Sequence, residues 1–80
     1  MDSINNNQVL NVQLFYDSLR EKVTSNNARL ILNSALTQSG LKDRDDDLNS
    51  DEAKQLCLEL INIGGPAFKI GQTIYRQYLQ

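Results

Sequence analysis

Apolar residues in this chain recur every three or four positions, in four separate stretches, and that spacing dictates amphipathic helices rather than strands. Val9, Val12, Phe15/Tyr16, Leu19 and Val23 form the first stripe and predict a helix over about 8–23. Arg20 and Lys22 near its end suit the negative pole of the helix dipole. Ala28, Ile31, Leu32, Ala35 and Leu36 form the second stripe, a helix over about 26–39. Gly40 is its stop, because glycine takes the left-handed conformation without a Cβ clash. Ala53, Leu56, Cys57, Leu60 and Ile61 predict a third helix ending near Ile63. Its entrance is capped by Ser50, or by an Asn49–Glu52 pair, with Asp51 and Glu52 at the positive end of the dipole. Ala67, Ile70, Ile74, Tyr75 and Tyr78 predict the fourth, over about 66–79. Gly64-Gly65-Pro66 ends one helix and starts the next, since proline fits the first helical position.

Four amphipathic helices with short connections must bury their stripes against each other. The expected fold is therefore all-α: one domain, built as a small bundle of four short helices. Eighty residues allow a single core. The polar, Asn-rich stretch 1–7 reads as a frayed terminus that hands an N-cap to the first helix. No repeat of solenoid length, heptad array or low-complexity linker interrupts this pattern. Gly71 falls inside the fourth stripe. A glycine there is either a tolerated weak spot, costing about 1 kcal/mol relative to alanine, or the mark of a close backbone approach.

Composition narrows the function classes. The chain has no histidine, which removes the commonest general base near neutral pH and the commonest transition-metal ligand. Its single cysteine, Cys57, permits no intrachain disulfide and sits on an apolar stripe, where a thiol behaves as a small hydrophobe. No stretch approaches the run of about 20 apolar residues needed to cross a bilayer, and no targeting segment is visible. These features predict a cytoplasmic protein, no membrane partner, no catalytic residues, no metal and no cofactor.

Charge is unevenly placed. Residues 41–59 hold seven acids against three bases, net −4; residues 60–80 hold Lys69 and Arg76 and no acid, net +2; residues 1–40 balance. The acidic stretch Lys42–Asn49, with Asp43, Asp45, Asp46 and Asp47, predicts a solvated loop with no buried face. A loop between two helices is the setting of an EF-hand. Counted from Asp43, it offers carboxylates at positions 1, 3, 5 and 9, but Leu48 stands where the glycine of position 6 belongs and Lys54 where the glutamate of position 12 belongs.

Other motifs fail on placement. Asp17-Ser18-Leu19 is similar to the short attachment motif of acyl carrier proteins, but Ser18 falls inside the first helix, where no loop presents it. The connection between the second and third helices is far longer than the turn of about 3–4 residues in a helix-turn-helix. Its aspartates repel phosphate, so nucleic acid is not an expected partner. Gly64-Gly65-Pro66 lacks the pattern of a phosphate-binding loop.

What remains is surface. Phe68, Tyr75, Tyr78 and Leu79 bring more apolar area to the last helix than one face buries easily, and tyrosine is favoured at interfaces. The expected function is a non-catalytic, regulatory protein–protein interaction domain. Those four residues, with the first helix assisting, meet a protein partner or a second copy. Two alternatives stand beside it: a Ca²⁺-responsive helix-loop-helix, and an acidic mimic that occupies a basic site through Asp43, Asp45, Asp46 and Asp47.

Overall fold

The computed structural model describes residues 10–42 and 47–79. Four helices account for most of them: α1 (Val12–Arg20), α2 (Ser25–Gln38), α3 (Ser50–Ile63) and α4 (Pro66–Ile74). The all-α bundle expected from the apolar spacing is the fold observed. Two short strands are added to it, β1 (Leu10–Asn11) and β2 (Asp47–Leu48), which pair antiparallel with Leu10 opposite Leu48 and Asn11 opposite Asp47.

The ladder explains the largest departure from the sequence reading. The first helix begins at Val12, not near residue 8, because Leu10 and Asn11 are extended and bonded to β2. Its cap is Asn11, whose side chain accepts from the Leu14 N–H at 3.0 Å. The cap expected from residues 1–7 falls outside the described residues. The helix ends at Arg20, and the Arg20 guanidinium donates to the Val23 carbonyl at 3.0 Å, across the turn. Thr24 then caps α2 through the Asn27 N–H.

At the other end of α2, Gly40 has φ 79° and closes the helix. The Leu41 N–H reaches the Leu36 carbonyl at 2.8 Å and the Gly40 N–H reaches Thr37 at 3.2 Å. This is a Schellman motif, and its usual apolar contact is supplied by Leu36 and Leu41, both buried.

The α3 entrance resolves to the Asn49–Glu52 pair. Asn49 Oδ1 accepts from the Glu52 N–H at 2.8 Å, and Glu52 Oε1 accepts from the Asn49 N–H at 3.0 Å. Ser50 is the first helical residue rather than the cap. The fourth helix is also modified: it is α-helical only to Ile74, and Tyr75–Leu79 forms a wider π-helical turn.

Each helix touches two others. α1 packs on α2 and α4, and α3 packs on α2 and α4. The core is entirely apolar among the described residues, so it contains no buried polar group that needs a partner. Phe15, Leu19, Leu56, Leu60, Ile74 and Cys57 are its largest fully buried side chains. Leu41 and Leu48 flank the acidic stretch and are also buried. The expectation that Lys42–Asn49 has no buried face is thus corrected. Leu48 is pulled inward because β2 pairs with β1, and alternation along the strand leaves Asp47 outside.

α4 approaches α3 closely at Gly71. A Cβ built there lies 2.7 Å from the Cys57 carbonyl oxygen and 3.1 Å from Leu60 Cβ. Of the two readings of Gly71, the close approach is the one observed. The missing side chain lets the α4 backbone lie against α3.

Candidate functional site

α4 packs more closely on α3 than on α1. A groove of about 490 Å³ runs between α1 and α4. Its α1 wall carries Leu14, Asp17 and Ser18, continued by Glu21 and Lys22 just past the helix end. Its α4 wall carries Ile70, Thr73 and Ile74, continued by Gln77 and Tyr78 of the π-helical turn. The same helical steps build both walls: 14, 17, 18, 21 on one side and 70, 73, 74, 77 on the other.

The chemistry of the two walls differs. Ile70 and Ile74 are buried and form the floor, while Leu14, Ser18 and Tyr78 are half-buried. Asp17 and Glu21 sit one turn apart on the exposed rim of α1, and Asp17 accepts from the Gln13 side chain at 2.8 Å. Thr73 and Gln77 form the opposite rim and are uncharged. An apolar floor between polar rims is the usual plan of a docking cleft.

The four residues expected to meet a partner are distributed over the end of the molecule. Tyr78 lines the α1–α4 groove. Tyr75 lines a separate depression of about 200 Å³ with Ile61, Gln72 and Arg76, on the α3 side. Phe68 is 38% exposed in the first turn of α4, and Leu79 is half-buried against the core. The residues missed by sequence reasoning are the polar ones, Asp17, Ser18, Thr73 and Gln77. Their signal was present, since they share helical spacing with the groove's apolar residues.

Of the acidic residues, Asp47 is described and is exposed beside the ladder. Asp43, Asp45 and Asp46 lie outside the described residues. The α3 entrance nevertheless fixes how the stretch is counted as an EF-hand loop. With Glu52 at position 12, Asn49 is at 9, Asp47, Asp45 and Asp43 are at 7, 5 and 3, and position 1 is Leu41, which is buried and apolar. Counted forward from Asp43, the glycine position 6 is Leu48, buried in the core, and the glutamate position 12 is Lys54. Each count leaves a ligand position filled by an unsuitable side chain. Among the described residues no three acidic or thiol groups gather as a metal site.

Cys57 is fully buried, and desolvation pushes its thiol up to about 12. Only the thiolate is nucleophilic, so the group is inert at neutral pH. A second surface feature lies between α1 and α2, where the Arg29 guanidinium sits 6.0 Å from the Tyr16 ring centroid, a weak cation–π contact.

Among the described residues no helix is long and apolar enough to cross a membrane. No protein-family model matches the chain, and no match to it is found among curated proteins or solved structures.

Proposed function

We propose that this is a non-catalytic, regulatory interaction domain that receives a protein partner in the groove between α1 and α4. The observation that carries the reading is the groove itself: two helices held apart over an apolar floor, with Tyr78 in one wall. A helix lying in a groove is a recurrent mode of recognition, and a tyrosine in the wall supplies area at low entropic cost. The inert thiol and the absence of histidine argue against catalysis. A reducing, cytoplasmic setting suits a lone buried cysteine.

Amide chemical shifts on addition of amphipathic helical peptides test the proposal. The expected result is shifts centred on Leu14, Ser18, Thr73 and Gln77, lost in Tyr78→Ala. Shifts centred instead on α2, where Leu30 is 68% exposed, refute it.

One observation favours a second reading, the Ca²⁺-responsive helix-loop-helix. The same dipeptide, Leu-Asn, enters both α1 and α3: Leu10-Asn11 and Leu48-Asn49. In both, the leucine is buried and the asparagine caps the helix, and the leucines face each other across the ladder. Two helix entrances joined in this way resemble a pair of EF-hand units. Ca²⁺ titration separates the readings. Raised melting temperature with shifts at Asp47, Asn49 and Glu52 supports the cation; unchanged melting and unchanged shifts at millimolar Ca²⁺ remove it.

A further inference from the structure

We infer that the occupant of the α1–α4 groove is an amphipathic helix with basic residues along one flank; the inference rests on the docking role proposed above. Asp17 and Glu21 stand one turn apart on the same rim. Among the described residues neither is in an ion pair: Asp17 is bonded to the neutral Gln13 amide, and no side-chain bond is made by Glu21. Arg20, which could neutralise this rim, is turned away to the Val23 carbonyl. Lys22 lies in the same wall and offsets one charge, so the wall is net −1. The α4 wall has no charge to set against it.

This asymmetry selects both the chemistry and the orientation of the guest. A helix laid in the groove presents apolar side chains to Ile70 and Ile74. Its two flanks face unlike rims. The flank toward α1 is stabilised by Lys or Arg at positions four apart, matching the one-turn spacing of Asp17 and Glu21. The flank toward α4 needs only groups that hydrogen-bond with Thr73 and Gln77. An acidic flank against α1 places like charges together and is rejected. An extended strand is disfavoured, because two helices offer no free backbone edge for it to pair with.

Two helical probes of roughly four turns decide the matter. They share an identical leucine stripe and differ only in carrying Lys or Glu on one flank. The Lys probe is expected to bind at least about tenfold more tightly, with an advantage that shrinks from about 50 to about 300 mM salt. The double variant Asp17→Asn/Glu21→Gln, at exposed positions, is expected to erase the preference. Thr73→Lys is expected to weaken the Lys probe by adding a cation to the other rim. Equal binding of both probes, still lost in Tyr78→Ala, overturns the basic flank and leaves the groove as a docking site. Binding that ignores Tyr78→Ala and Thr73→Lys alike, or no binding, overturns both. Concentration-dependent dimerisation blocked by Thr73→Lys assigns the groove to a second copy and overturns the inference.

Discussion

Toward α3, the fourth helix lies so close that a Cβ added at Gly71 comes within 2.7 Å of the Cys57 carbonyl oxygen; toward α1, the same helix stands off across a groove of about 490 Å³. The difference follows from what faces what. On one side a glycine meets the Cys57 backbone and the side chains of Leu60 and Ile61. On the other, half-buried Leu14, Ser18 and Tyr78 line the groove. The α3–α4 side is thus sealed, and the α1–α4 side is left open.

That contrast is open to direct attack. Leu60→Ala, on the sealed side, is expected to lose about 2–5 kcal/mol, because the cavity forms where the structure is tightest. Tyr78→Ala is expected to lose about 1 kcal/mol or less. Urea unfolding compares the two, and equal losses would break the contrast. Gly71→Ala comes next. The added methyl meets a carbonyl oxygen, so about 1–3 kcal/mol of overpacking outweighs the gain of about 1 kcal/mol in helix propensity. A neutral or stabilising result in thermal melts means that α4 can move away from α3 without loss.

The two helix entrances sharpen the comparison at a smaller scale. Asn49→Ala and Asn11→Ala each remove one side-chain cap on a backbone N–H, while the bond from the Asn49 backbone N–H to Glu52 survives, so each is expected to cost about 1 kcal/mol in thermal melts. Cys57 gives a pH test of the sealed side. Its thiol stays neutral in the fold while the unfolded chain ionises near the ordinary value of 9.0. The unfolded state therefore binds fewer protons above that pH. Stability attributable to the buried thiol is complete below about 9 and declines as pH rises toward about 12. The loss is read as the difference between wild type and Cys57→Ala in alkaline unfolding, and parallel curves contradict burial. The smallest effect belongs to the open side. Asp17→Asn and Glu21→Gln are expected to change stability by less than about 0.5 kcal/mol, since both are exposed.

Much of the bundle was legible because a helical stripe is a repeated signal: every turn of α2 and α3 restates which face is buried. The stop at Gly40 was also readable, whereas the α3 entrance and Gly71 each allowed two readings between which only tertiary packing decides. The ladder was not. Two residues are too few for an alternating pattern, and Leu10 and Leu48 look like ordinary helix and loop residues until they are set opposite each other. The groove was half legible. Tyr78 stood out as an aromatic, but which side of α4 would stay open depends on how the helices pack, a tertiary outcome that no local spacing encodes. Phe68 and Tyr75 were grouped with Tyr78 on aromatic character, whereas the groove selects by helical phase.

The ladder also bears on the order in which the molecule assembles. Leu10 and Leu48 are 38 positions apart, whereas the α1–α2 and α3–α4 hairpins close through turns of a few residues. Bringing distant segments together costs loop entropy that two backbone pairs do not recover on their own. The ladder is therefore expected to close only after the helices beside it have paired. Pulled from residue 10, the chain is expected to lose this clasp before the helix contacts.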